Sequence, residues 1–257
     1  MNKNPKISII TITFNSGKTL ENTILSVLNQ SYPSLEYLII DGGSTDNTLN
    51  IIEKYKDRID EVVSEKDEGI SDAFNKGINL ATGEIIGIIN SDDLLLPDAI
   101  LTLAQNYDPK VEVYRGNIII WNSETNLKKR EIPSMKFPIW NFLPNVSHPG
   151  TFIAKSAYMK FGCYDKNFKY LMDLNLLTQL YRKGAIFRHM NFDIALFRLD
   201  GITSASIRKK KYELKRYIYA NGGFYAHFVM YYYPRLLLGE LKRLRKLVVS
   251  KHLTVSM

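Results

Sequence analysis

Cysteine is nearly absent: Cys163 stands alone in 257 residues. No disulfide can form within the chain, and a reducing, cytoplasmic setting is the expectation. Long apolar runs are missing too. The longest aromatic and aliphatic stretch, Phe224 to Leu238, is interrupted by His227, Pro234 and Arg235, short of the roughly 20 apolar residues of a spanning helix. Met1 to Lys6 is polar and the apolar run behind it is short and rich in Ser and Thr, so no secretory signal is expected. Two phosphate-binding fingerprints are lacking. There is no G-x-G-x-x-G and no glycine loop ending in Gly-Lys-Ser/Thr, which argues against dehydrogenase and NTPase readings. Acidic residues are scarce in one place only: residues 205–257 hold twelve Lys or Arg against two Glu, whereas residues 1–204 hold 22 Lys or Arg against 24 Asp or Glu.

What is present is 45% hydrophobic, enough for one large domain with an appendage. Apolar runs at Lys6–Thr13, Leu35–Ile40, Glu61–Ser64 and Glu84–Ile89 read as strands. Helical spacing fills the gaps at Thr19–Gln30, Thr45–Tyr55 and Ser71–Ala81. Pro97 suits the first turn of a further helix over Asp98–Asn106. The pattern predicts an α/β fold, a mostly parallel twisted sheet with helices on both faces. Past residue 110 it becomes less regular: a long strand over Val111–Trp121, a hairpin return over Leu127–Ile132, and a Pro-rich irregular stretch from Pro133 to Pro149. Helices are expected at Ser156–Phe161 and Leu171–Arg182, a last strand at Phe192–Arg198, and two helices over 207–250 with breaks near Gly222 and Pro234. The expected units are 1–204, divided into a nucleotide-binding half 1–110 and an acceptor half 111–204, and a basic helical tail 205–257.

In parallel sheets ligands bind beyond the carboxyl ends of the strands. Here those positions are Thr13 to Asn15, Asp41 to Ser44, Glu65 to Gly69 and Asn90 to Asp93. Asp92 and Asp93 are hard oxygen ligands suited to Mg or Mn, or alternatively a helix cap. The run Asp41-Gly42-Gly43-Ser44 can bring backbone close to a base or ribose, or can simply be a glycine turn. Asp67 lies ahead of a helix N-terminus that makes a workable pocket edge. Asp173 sits among Leu171, Met172, Leu174, Leu176 and Leu177; it is either on the exposed face or positioned as a general base. His148 either binds a phosphate or orients a ligand, or is structural.

Together these pieces resemble family 2 glycosyltransferases of the GT-A fold over residues 6–200, in a form similar to those of bacterial surface-polysaccharide assembly. The elements are Thr13-Phe14-Asn15, Ser26 to Pro33, Asp41 to Asp46, Asp67 to Gly77, Ala81-Thr82-Gly83-Glu84 and Asn90-Ser91-Asp92-Asp93. On the acceptor side come His148 ahead of Thr151-Phe152, then Gly162-Cys163-Tyr164-Asp165 and Met172-Asp173-Leu174. The resemblance implies an inverting transfer of a sugar from a nucleotide-diphosphate sugar, UDP-linked by preference, to an acceptor hydroxyl. It implies a nucleotide-sugar site at Thr13, Asn15, Asp41, Asp67, Gly69, Asn75, Lys76 and Asp92, a Mn or Mg ion at Asp92 and Asp93, the base at Asp173, and His148 on the acceptor or phosphate side. Gly42 departs from the commoner Asp-Asp-Gly-Ser, Asn90 from the first Asp of Asp-x-Asp-Asp, and Met172 from the usual acidic neighbour of the base.

The tail interleaves Lys242, Arg243, Arg245 and Lys246 with Leu236, Leu237, Leu241, Leu244 and Leu247. That reads as a basic amphipathic helix for an anionic membrane surface, on the inner face of the plasma membrane if the acceptor is a lipid-linked glycan; the alternative is a helix packed on the body. A non-catalytic nucleotide-binding or membrane scaffold protein is the rival function. Nucleic acid is not an expected partner, because no binding motif accompanies the basic tail. Oligomeric state leaves no signal in the sequence.

Overall fold

A computed structural model describes residues 4–123, 125–137, 145–146, 148–199 and 207–253. The strands are β1 (Ile7–Thr13), β2 (Leu35–Asp41), β3 (Glu61–Ser64), β4 (Ile85–Asn90), β5 (Leu94–Leu95), β6 (Val113–Trp121), β7 (Lys128–Glu131), β8 (Thr151–Ala154) and β9 (Phe187–Arg198). The helices are α1 (Leu20–Leu28), α2 (Thr48–Tyr55), α3 (Ile70–Leu80), α4 (Ala99–Gln105), α5 (Lys155–Phe161), α6 (Met172–Arg182), α7 (Ile207–Ala220) and α8 (Tyr225–Leu253). They build one sheet in the order β3-β2-β1-β4-β8-β6-β9-β5, with β7 on β6. The first four strands in that order are parallel; antiparallel pairs enter where β8 joins β4.

Burial explains why these strands read as continuous apolar runs. Ile7, Ile9, Ile39, Ile85 and Ile89 face a core closed by Leu20, Ile24, Ile52 and Leu103 of α1, α2 and α4. Ile10, Ile12, Leu38, Ile40, Ile86 and Ile88 face a second core closed by Phe74, Ala157, Leu174, Leu214 and Phe228 of α3, α5, α6, α7 and α8. With a side-chain period of two, both faces are covered. Glycine sets one approach that the site depends on. A Cβ on Gly77 of α3 would lie 2.5 Å from Ile10 Cγ2, and Ile10 is fully buried. Gly77→Ala is therefore expected to lift α3 from the sheet and to lower unfolding free energy by about 1–3 kcal/mol, measured by denaturant titration.

Five expectations change. The Asp98 helix starts one residue later, at Ala99, because Asp98 takes φ 59° and turns the chain behind Pro97. Pro234 does not end the last helix; it lies inside α8, where its missing N–H removes one helical hydrogen bond without ending the helix. β5 and β8 were not expected: two and four residues are too short to show a period. The final strand begins at Phe187, five residues ahead of Phe192. α7 is no loose tail, since Leu214, Tyr217 and Ile218 are buried in the same core as Ile10. The side chains of 242–253, including Lys242, Arg243, Arg245 and Lys246, lie outside the described residues, as does much of the Pro133–Pro149 stretch. Among the described residues, no helix is long and apolar enough to cross a membrane.

Candidate active site

Register brings the strand ends level. Thr13 pairs with Asp41, Asp41 with Ser64, and Ile12 with Asn90, so three acidic loops share one rim of the sheet. Asp41 is fully buried there. Its Oδ2 accepts from the Gly43 and Ser44 amides and the Ser64 hydroxyl, and its Oδ1 accepts from the Ser44 hydroxyl at 2.5 Å. That carboxylate shapes the loop. The Asn15 amide then donates to Ser44 Oγ and the Thr45 amide to Asn15 Oδ1; Asn15 itself takes φ 49°. Phe14, between them, is 61% exposed. A Cβ on Gly42 would meet Asp67 Oδ2 at 2.8 Å and Phe14 at 3.5 Å. Asp67 thus occupies the space that a second Asp in place of Gly42 would need.

Asp67 pairs with Lys76 of α3 at 2.8 Å, and Lys76 also reaches Glu65 and Asp72. The Asp67 and Glu65 carboxylates push the Lys76 ammonium well above its ordinary range, so it stays charged and bound to this loop. Gly69 begins α3 at φ 126°, a conformation that favours glycine. Asn75 turns to the acceptor half: its Nδ2 donates to the Tyr164 carbonyl and its Oδ1 accepts from the Tyr164 amide. Lys76 and Asn75 therefore stand as braces behind the rim.

At the end of β4 the Ser91 hydroxyl bonds Ser16 at 2.7 Å. Asp93 is fully buried; its Oδ1 accepts from the Arg198 amide and its Oδ2 from Asn90 Nδ2 at 3.4 Å. Burial, then the neighbouring charge of Asp92, push its carboxyl up to about 8. Among the described residues, Asn90 Oδ1 and Thr13 Oγ1 are buried polar atoms with no partner. Buried polar oxygens are normally satisfied, so two orphans facing one rim mark a place for a ligand. Among the described residues no three His, Cys, Asp or Glu converge. That does not oppose the family's metal, because Mg-type sites use one or two carboxylates and complete their shell with phosphate oxygens and water. Asn90 Oδ1 and the carboxylate of Asp92 fit that pattern.

The second half of the site lies across β4. His148 Nδ1 is 3.1 Å from Asp173 Oδ1, and His148 Nε2 has no hydrogen-bond partner among the described residues. The imidazole stacks on Phe74, with centroids 5.0 Å apart and planes 13° apart. Burial opposes its protonation, but the charges of Asp173, Asp93 and Asp92 outweigh burial and raise its pKa. His148 thus feels carboxylates from both halves at once. Asp173, 19% exposed, lines a water-sized cavity of about 10 Å³ with His148, Thr151, Tyr158, Tyr164 and Ile88. It lies on the inner face of α6 at the site, although apolar spacing alone allowed it to face solvent.

Two cations escaped the sequence reading. Arg115 in β6 is fully buried; it donates to the carbonyls of Ser134 and Asn145 and to Thr151 Oγ1. Burial lowers its pKa to about 10 while Asp173 and Glu131 oppose that fall, so it remains a cation at neutral pH. A charged residue inside Val113-Tyr-Arg-Gly-Asn-Ile-Ile-Ile-Trp121 was the available signal. Arg198 stacks on Trp121 at 4.9 Å, next to the Asp93 turn, and its buried Nε has no partner among the described residues.

Residues 8–166 match the family described as Glycosyl transferase family 2. A β-1,3-glucosyltransferase of Campylobacter jejuni acting on GalNAc(5)-diNAcBac-PP-undecaprenol is 29% identical over 216 residues, 77% of this chain and 67% of that protein. A PGL/p-HBAD biosynthesis glycosyltransferase of Mycobacterium bovis is 28% identical over 82% of this chain and 84% of its own length. In structure the chain is similar to residues 1–349 of Staphylococcus aureus TarS, crystallised with UDP-GlcNAc, with TM-score 0.65 and 18% identity. That match covers 83% of this chain and 65% of the TarS fragment. It is also similar to the mannosyltransferase PcManGT of Pyrobaculum calidifontis in complex with GDP-Man and Mn2+, with TM-score 0.62, 18% identity, and coverage of 82% and 62%. The architecture is that of GT-A glycosyltransferases, and the chain belongs to glycosyl transferase family 2.

Proposed function

We propose that the chain moves a sugar, with inversion, from a nucleotide-diphosphate sugar to an acceptor hydroxyl in the assembly of a bacterial surface or lipid-linked glycan. The observation that carries this is His148, which contacts the Asp173 carboxylate and feels the charges of Asp92 and Asp93. A base candidate and a diphosphate-end candidate thereby share one buried imidazole. Thr13, Asn15, Asp41, Asp67 and Gly69 shape the nucleotide mouth, Asn75 and Lys76 brace it, and Phe14 offers a ring face to the base. UDP is the favoured nucleotide, in keeping with the structural similarity to TarS, which was crystallised with UDP-GlcNAc.

A Mn or Mg ion held by Asp92 and Asn90 Oδ1, with Asp93 behind them, would supply positive charge against the diphosphate. The acceptor oxygen attacks the anomeric carbon as Asp173 takes its proton. The bond from that carbon to phosphate oxygen breaks on the opposite face, and the electron pair leaves with the nucleoside diphosphate. Arg198, stacked on Trp121 at the same rim, adds charge where the leaving oxygen becomes negative. UDP-glucose, UDP-galactose, UDP-N-acetylglucosamine and GDP-mannose are the donors to test. Mn-dependent release of nucleoside diphosphate from one of them, abolished by chelation, is the expected result; no release from any would count against the reading.

The acceptor side fits a membrane surface. Met230, Tyr233, Leu237 and Leu241 are exposed on α8 at helical spacing, in the segment that carries the basic excess. The full chain is expected to float with phosphatidylglycerol vesicles and the chain cut after Pro234 to stay behind; equal flotation would remove the tail from the account.

A further inference from the structure

α6 carries Asp173 in its second position, yet it begins without a cap of its own. Leu171 stands at its N-cap and no side chain near it in sequence bonds the first turn. Four amides at a helix start lack helical partners, and a buried start needs acceptors from somewhere. One of them, the Leu171 amide, and the two amides just ahead of the helix find theirs in a carboxylate more than forty residues away. Glu213, on α7, accepts from the Lys169 amide through Oε1 at 2.9 Å, and from the Tyr170 and Leu171 amides through Oε2 at 2.7 and 2.9 Å. The first helical bond, from the Asn175 amide to the Leu171 carbonyl at 2.8 Å, follows directly.

A carboxylate on a run of main-chain amides is a strong, charge-assisted acceptor, and its charge also suits the positive end of α6. The rest of α7 keeps Glu213 in place. Leu214, Tyr217 and Ile218 are buried, the Tyr217 hydroxyl meets Thr178 Oγ1 at 3.1 Å, and Asn221 Nδ2 reaches Asn175 Oδ1 at 3.4 Å. α7 therefore runs along the back of α6, and the opposite side of the same first turn presents Asp173 to His148.

We propose that Glu213 is a positioning residue for the reaction: it fixes the chain entering α6, and thereby the place of the Asp173 carboxylate. The inference rests on Asp173 as the base. Its signature is a change in turnover without a change in donor binding, because the nucleotide mouth lies on other elements. Misplacing a catalytic group by about 1 Å lowers rate by about a hundredfold. Glu213→Ala is expected to lower kcat by about 10- to 100-fold on whichever of the four nucleotide sugars above the protein hydrolyses fastest, with KM for that donor and UDP affinity kept within about twofold. Glu213→Gln keeps one acceptor oxygen and should recover most of the loss.

Tyr212→Ala, next to Glu213 on α7 but 81% exposed, should leave kcat near normal. Amide hydrogen exchange on the full chain gives a readout independent of turnover: residues 169–171 should exchange faster in Glu213→Ala than in the native protein, with Glu213→Gln between the two. Unchanged kcat in Glu213→Ala, an equal loss of UDP affinity, or unchanged exchange at 169–171 would each overturn the proposal. Failure of the native protein to turn over any donor would instead sink the transferase reading and the catalytic meaning of the clamp together, while exchange still reported whether the clamp exists.

Discussion

Asp173→Asn should reduce sugar transfer, and donor hydrolysis with it, by about 10²–10⁴-fold, the usual worth of general base catalysis, or about 3–5 kcal/mol of barrier. The amide keeps the volume of the side chain and can still fill the water-sized cavity beside Tyr164, so the fold has no reason to change. What it loses is the basic carboxylate proposed to take the acceptor proton. It also removes the negative charge that faces His148 and the buried Arg115. A His148 imidazole without Asp173 titrates lower, because Asp173 is the leading influence that raises it. UDP binding should be unaffected, since the described partner of Asp173 is His148 and not a residue of the proposed nucleotide mouth. Near-normal turnover in this variant would remove Asp173 from the mechanism.

Asp92→Ala is expected to lower Mn-dependent turnover by about 10²-fold or more, the scale of losing several kcal/mol of charge stabilisation on the leaving diphosphate. The effect should appear first in the metal concentration needed for half-maximal rate. The same substitution relieves Asp93: with the Asp92 charge gone, the carboxyl that stands at about 8 should fall, leaving burial as its main perturbation. Asp93→Ala is a different experiment. Asp93 holds the Arg198 amide from a fully buried position, so its loss should lower stability as well as turnover, and thermal unfolding separates the two variants.

Much of the nucleotide half was legible because its signals are local. Buried parallel strands read as apolar runs, and the residues just past them, Thr13, Asp41 and Asn90, do end strands that lie side by side. The direction of each carboxylate was not legible. Asp-Gly-Gly-Ser describes equally a loop that binds a ligand and one that binds its own Asp, and here Asp41 is surrounded by amides and hydroxyls of its own turn and of β3. Asn75 and Lys76 illustrate the same point: their partners, Tyr164 and Asp67, are set by packing of α3. The acceptor half was harder because its contacts are remote. β8 is four residues long and finds its partners in β4 and β6. Glu213 reads as one acid in a basic helix until α7 is laid against α6.

The most direct test is crystallographic: the protein grown with UDP and Mn²⁺, with anomalous scattering used to locate the ion. One anomalous peak within coordination distance of Asp92, bridged to both phosphates, with the diphosphate end turned towards Asp173, is the predicted result. Manganese and UDP bound away from the ends of β1 and β4, or a diphosphate lying in the His148–Asp173 cavity in place of the acceptor, would contradict it.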